Sequence, residues 1–307
     1  MSRLSLLLVT AVAPAVWGTT YATTTLLLPP DRPLLAATLR ALPAGLLLLA
    51  VGRRLPRGSW WWRATVLGAL NIGVFFALLF LAAYRLPGGV AATLGAVQPL
   101  VVAGLSALVL HERVRARTVV AGLVGVVGVA LLVLRASARL DTVGVVAGLV
   151  ATGAMALGLV LTRRWGRPVG LLTATAWQLT AGGLLLVPVL LVAEGLPTHL
   201  TGRNLAGFAY LTLVGTALAY ALWFRGLERL SPTHVSFLGL LSPLVATAVG
   251  VLALGERLTP WQVLGAALAL AGLVAAQLPS RATRRATREA AGAVAGRGWA
   301  GRMAGCE

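Results

Sequence analysis

The 307 residues are 58% hydrophobic and 11% charged, with a mean hydropathy of +0.89; soluble domains carry about 25% charge, so a soluble fold is excluded. All 26 basic side chains are arginine, set against eight acids for a net charge of +18, but they cluster in short gaps between apolar runs and in the C-terminal tail, as loops facing an anionic membrane surface do, and not as a nucleic-acid footprint. The one cysteine, Cys306, excludes an internal disulfide and a cysteine metal cluster.

Arg3 opens an apolar stretch that continues through Pro14, Trp17 and Tyr21 to Leu28. That is too long for the core of a cleaved signal peptide and predicts a first membrane helix. Apolar runs predict ten spans in all, at residues 4–27, 34–52, 64–84, 88–110, 118–134, 142–162, 169–193, 204–225, 232–254 and 260–278. Trp60, Trp61 and Trp62 open the third span as an interfacial aromatic belt. After Pro279 the chain turns Arg-, Gly- and Ala-rich, and residues 280–307 read as a basic, disordered cytoplasmic tail.

The chain reads as one unit written twice. Leu94-Gly95, Pro99 and Glu112-Arg113 find Leu238-Gly239, Pro243 and Glu256-Arg257 at an offset of 144 residues, as Arg85-Leu86 finds Arg229-Leu230. Leu39-Arg40 and Gly45 find Trp177-Gln178 and Gly183 at an offset of 138. Five spans per half is odd, so the second half enters the membrane from the opposite side. The expected fold is an all-α polytopic membrane protein of ten transmembrane helices in two inverted five-helix repeats, residues 1–138 and 139–279. With the N-terminus inside, 19 arginines fall on the inner side and 6 on the outer, which puts both termini in the cytoplasm.

The candidate functional residues are polar, aromatic or helix-breaking groups inside the spans. Pro99 and Pro243 lack the N–H that would bond Gly95 and Gly239, so both sites are expected to act as hinges and to line the substrate path. Gln98 and Ser242, each directly before its proline, are the first candidates for the cavity. Arg40 lies about two turns into its span; it either holds an anionic part of a substrate or snorkels to the surface. Its mate Gln178 is neutral. Asn71 is expected in the cavity or in an interhelical hydrogen bond. Trp17, Phe75 and Tyr220 offer ring walls or ordinary packing. His234 is the candidate for proton coupling, because the eight acids lie outside the span interiors. The absence of lysine excludes a Walker-type phosphate loop, and Asp31 and Asp141 stand alone, so no cofactor or metal is expected. Gly144 and Gly148, with Gly122, Gly125 and Gly128, permit close helix approach within the chain or in a homodimer.

Ten spans, two matching halves, a mid-helix proline and a Glu after the fourth and ninth spans resemble the EamA-domain branch of the drug/metabolite transporter superfamily over about residues 4–278. Leu28-Pro29-Pro30, Arg32-Pro33, Arg40-Ala41-Leu42-Pro43-Ala44-Gly45, Gly68 to Phe76 and Tyr84-Arg85-Leu86-Pro87-Gly88-Gly89-Val90-Ala91 resemble its PecM-like subgroup. The resemblance implies an inner-membrane exporter of small metabolites, amino acids or drugs, with a central cavity between the halves. The chain departs from four-helix multidrug members, which carry a deep glutamate in the first span; here that span holds Trp17 and no acid. The expected function is a secondary, non-ATP transporter working by alternating access in the bacterial plasma membrane, not an enzyme, acting as monomer or homodimer on a small-molecule substrate. The alternative is a flippase or membrane enzyme acting on an amphiphilic, lipid-linked substrate.

Overall fold

Long apolar runs can satisfy their backbone in a bilayer only by closing every hydrogen bond within the segment, which selects helices. The computed structural model describes residues 2–86, 94–133, 141–254 and 259–277. The tail expected at 280–307, the repeat boundary at 138–139 and Glu256 lie outside the described residues. Among the described residues all regular structure is helical.

Among the described residues six helices are long and apolar enough to cross a membrane: α1 (Arg3–Leu27), α2 (Pro33–Gly52), α3 (Trp60–Arg85), α6 (Thr142–Trp165), α7 (Leu171–Ala193) and α8 (Gly202–Arg229). Shorter apolar helices complete the bundle: α4, described from Leu94 to Leu110, α5 (Ala116–Val133), α9 in two pieces (Pro232–Leu238 and Leu241–Leu254) and α10 (Pro260–Gln277). Their starts are set by local chemistry. Ser2 Oγ accepts from Ser5 N at 3.1 Å and Asp141 Oδ1 from Gly144 N at 2.7 Å, while Thr201 and Asn204 form a capping box. Pro33 fills the first position of α2, where its missing N–H costs nothing.

Residues Met1–Ala276 form one compact unit. Its outer faces are leucine and valine, with Leu4, Leu8, Leu108, Val146 and Val192 exposed, a surface that suits lipid and not water. Inside, glycines set how closely helices cross. A Cβ on Gly45 would lie 2.5 Å from Thr180 N, and one on Gly183 2.7 Å from Leu42 Cα, so α2 and α7 meet backbone to backbone at both points. A Cβ on Gly18 would lie 2.5 Å from Ser242 O, seating α1 against α9.

The helix ends gather at two faces. At one, Arg32 Nη1 donates to Glu194 O at 2.9 Å, Asn204 Nδ2 to Leu27 O at 2.8 Å and Tyr84 Oη to Pro29 O at 2.9 Å, and Arg85 stands 3.6 Å from Asp141. At the other, Arg167 pairs with Glu228, and Trp177 Nε1 donates to Arg54 O at 2.6 Å.

Close crossings cannot absorb a side chain when the obstacle is backbone. Gly45→Val and Gly183→Val should each lower stability by roughly 1–3 kcal/mol or more, read as a lower thermal midpoint in detergent. Gly104→Ala, where a Cβ meets nothing within 4 Å, should leave the midpoint unchanged or raise it. Equal midpoints for all three would refute the close-crossing account.

Candidate functional site

Five interruptions of helical geometry lie around one internal cavity. α1 breaks at Thr19; α4 turns at Val97, one residue before Gln98; α9 breaks at Gly239–Leu240; and α3 and α8 each contain a six-residue π-helical turn, Ala69–Val74 and Leu213–Leu218. The cavity holds about 120 Å³ and is lined by Trp17, Thr20, Arg40, Phe75, Gly95, Gln98, Thr152, Met155, Tyr220, Trp223, Gly239, Ser242 and Pro243 among others.

The π turn in α8 explains how a cation is held here. Widening the turn spoils the i→i−4 ladder locally and turns a carbonyl outward. Gly215 O accepts from both Trp17 Nε1 and Arg40 Nη2, each at 3.0 Å. Arg40 Nε donates to Thr216 Oγ1 at 2.9 Å, and that hydroxyl donates onward to Leu211 O at 2.7 Å. The guanidinium lies 4.5 Å over the Phe76 ring, with Phe80 at 5.9 Å. Arg40 is 2% exposed, so the surface-snorkelling reading does not hold: the side chain turns into the bundle and reaches the cavity wall. Beside it the rings interlock, Trp17 to Tyr220 at 5.1 Å and Trp17 to Trp223 at 5.0 Å between centroids.

The structure brings Trp17, Arg40, Phe75, Gly95, Gln98, Tyr220, Gly239, Ser242 and Pro243 to this cavity. Pro99 is buried beside it without lining it, at the second position of the helical stretch Gln98–Leu110. The prolines therefore sit just after a break and not in the middle of a continuous helix. The carbonyl of Gly239, expected to be freed by Pro243, accepts from Ser242 N at 3.0 Å, because a tighter i→i+3 turn replaces the lost bond. Gly95 leaves open space: a Cβ there meets nothing within 4 Å.

Asn71 and Gln178 are elsewhere. Asn71 Nδ2 donates to Gln178 Oε1 at 2.8 Å, and both are buried, so the interhelical hydrogen bond is the observed role. Gly158 makes room for that amide, since a Cβ there would fall 2.0 Å from Asn71 Oδ1. His234 does not line the cavity; its Nδ1 lies 2.5 Å from Ser231 Oγ at the start of α9, near Arg3, Arg115 and Arg117.

Sequence reasoning missed Thr20, Trp223 and both π turns. Trp223 follows Tyr220 by three residues and so shares its helix face, a signal that was available. A π turn leaves no trace in apolar periodicity when both faces of the helix are apolar. Three lining residues carry buried polar atoms with no partner among the described residues: Thr20 Oγ1, Tyr220 Oη and Trp223 Nε1. Each costs about 1–3 kcal/mol until something bonds it. Unpartnered donors on three lining residues, with one cation and aromatic walls, suit a small, electron-rich solute.

Removing an unpartnered hydroxyl should relieve the empty protein. Tyr220→Phe is expected to raise ligand-free stability by about 1 kcal/mol in a thermal melt while weakening stabilisation by a bound solute. A drop of comparable size in the empty protein would show that the hydroxyl is bonded after all.

Comparison with known proteins gives this geometry its family. The model of the EamA-like transporter family matches residues 4–134 and again 142–276. The chain is 51% identical over 275 residues to Protein PecM of Dickeya dadantii (strain 3937), covering 89% of this chain and 92% of that protein. It is 30% identical over 288 residues to an uncharacterized transporter of Synechocystis, spanning 86% of this chain and 87% of that one. It is 27% identical to the uncharacterized inner membrane transporter YedA of Escherichia coli (strain K12), over 81% of this chain and 84% of that protein. A crystal structure with 22% identity superposes at a TM-score of 0.77, covering 92% of this chain and 99% of the other, and so shares the fold. The chain is a member of the EamA-like transporter family, within the drug/metabolite transporter superfamily.

Proposed function

We propose that this protein is a secondary exporter of small metabolites, amino acids or drug-like compounds, resident in the bacterial inner membrane, working by alternating access around the central cavity. The observation that carries the reading is the cavity itself: helices from both halves of the sequence contribute to it, and α1, α4 and α9 break where they line it. Broken helices at membrane depth are tolerated only where they line a cavity or pack on protein, and transporters place them at the substrate site.

The ten helices are read as two inverted five-helix repeats, residues 1–138 and 139–279, with both termini cytoplasmic. Support comes from matched irregularities. The π turns begin at Ala69 and Leu213, 144 residues apart, the offset that relates Pro99 to Pro243. The arginine-rich connections before α3, α5 and α7 carry most of the loop charge, which favours the cytoplasm for that face. Several relatives bear the description of inner membrane transporters, which supports that location. Gln98 and Ser242 are read as substrate contacts, Arg40 as the group that orients a negative or electron-rich part of the solute, and the breaks at Val97 and Gly239 as hinges.

Untargeted metabolite comparison of medium from deletion and overexpression strains identifies the solute, and uptake into inverted vesicles then measures transport. Gln98→Leu should lower that uptake about tenfold, the worth of one substrate hydrogen bond of about 1.4 kcal/mol. Pro99→Ala, by mending the break, should slow turnover with little change in apparent affinity. Unchanged uptake in both variants, with normal membrane levels, would remove the cavity from the transport path.

A further inference from the structure

A second chamber of about 160 Å³ lies at the face that carries Arg163, Arg167 and Glu228, walled by the end of α6, the first turns of α7 and the end of α8. Its chemistry differs from that of the aromatic cavity. Arg167 Nη2 pairs with Glu228 Oε1, while Arg167 Nη1 is buried and has no partner among the described residues. Thr175 is 0% exposed, lines the chamber, and its Oγ1 is also without a partner. Burial pulls the Arg167 guanidinium below its usual value, because its charged form loses water there.

The opposite face supplies an internal comparison. There the N-terminus of α2 is held by a carboxylate: Leu34 N and Leu35 N donate to Glu194 Oε1 and Oε2 at 2.6 and 3.0 Å. The positions 138 residues on, Leu172 and Thr173, form the first turn of α7, and the residue 138 before Glu194 is Pro56. The loop holding Pro56 does reach α7, as the Trp177–Arg54 bond shows, but it brings no acid, and the N-cap residue of α7, Gly170, has no side chain to cap it. One helix start carries a built-in carboxylate. The other borders a chamber with an unpartnered guanidinium nitrogen and an unpartnered hydroxyl.

We propose that this chamber is a second binding site, which takes the carboxylate of a small soluble solute on Arg167 Nη1 and Thr175 Oγ1, with Glu228 as the positioning residue that aims the guanidinium. Its role as a loading station on the cytoplasmic side rests on the transporter reading; the binding itself does not. The volume matches apolar cavities that accept benzene, so an aromatic monocarboxylate fits.

The probe is benzoate, titrated calorimetrically into full-length protein in phosphatidylcholine nanodiscs, with benzamide as the neutral isostere. Wild type should bind benzoate and not benzamide. Thr175→Val should weaken binding about tenfold and Arg167→Gln more than a hundredfold, since a charge-assisted bond is lost. Because Arg167→Gln strands Glu228, the double substitution Arg167→Gln with Glu228→Gln is measured as well and should also fail to bind. Equal binding of benzamide, or benzoate binding that survives all three substitutions, overturns the proposal, as does binding lost only in Arg40→Gln, which would place the anion in the central cavity. Displacement of benzoate by added phosphatidylglycerol would assign the anion to lipid and overturn the soluble source. Full vesicle transport in a variant without benzoate binding removes the loading role and leaves the transporter reading intact.

Discussion

The bond from Arg40 to the carbonyl of Gly215 is the constraint around which the core is arranged. A guanidinium inside an apolar bundle is costly unless its donors are met. A carbonyl in a regular helix is already engaged four residues on and offers a side chain only its second lone pair. The π turn Leu213–Leu218 supplies the carbonyl that Arg40 uses. Thr216 completes the seat: its hydroxyl has one proton, spent on Leu211 O, so its oxygen faces Arg40 as an acceptor. Phe76 covers the remaining face with its ring. Trp17 shares the Gly215 carbonyl, which ties the aromatic wall of α1 to the same turn. The irregularity in α8 is thus the condition for keeping a charge at the cavity edge.

The matching position in the other half is solved with neutral groups. Gln178 lies 138 residues after Arg40, and Asn71 lies 144 before Gly215. These mates also meet, amide to amide, within the π turn of α3. Both halves therefore use one scaffold, a polar side chain on α2 or α7 reaching a π turn on α3 or α8. They differ in that one contact carries a full charge. That difference makes the central cavity positive on one wall, with no carboxylate among the described residues that line it. A solute with a negative or electron-rich end gains there, and one with a cationic end is repelled.

The helical class and the chemistry of the two faces were legible in the sequence because they rest on long apolar runs and on where arginine falls. Much of the cavity was legible too: Gln98, Ser242, Trp17 and Tyr220 stand out as polar or aromatic groups deep in apolar segments. Asn71 and Gln178 stand out for the same reason, yet they bond each other. Sequence marks a buried polar side chain without saying whether its partner is another residue or a solute. The details of the proline sites were hidden for a different reason. Pro99 and Pro243 announce a lost hydrogen bond, but the backbone answers by breaking into a new helix with tight turns at Val97 and Gly239, and that choice depends on packing against α1 and α6. The π turns and the chamber at Arg167 depend on three-dimensional juxtaposition that no local pattern encodes.

The two faces are closed by contacts at corresponding positions and of different strength. Tyr84 and Glu228 stand 144 residues apart, Pro29 and Arg167 138 apart. At one face Tyr84 donates to Pro29 O; at the other, Glu228 pairs with Arg167. The first is a neutral hydrogen bond that water replaces at little net cost. Beside it, Arg85–Asp141 is an exposed pair of small worth. The second joins two charges that are only partly exposed, and separating them strands both unless another anion takes the place of Glu228. On the transporter reading, a carboxylate entering the chamber at Arg167 Nη1 would reach the same guanidinium that Glu228 holds, so loading and the closing contact of this face would share one side chain.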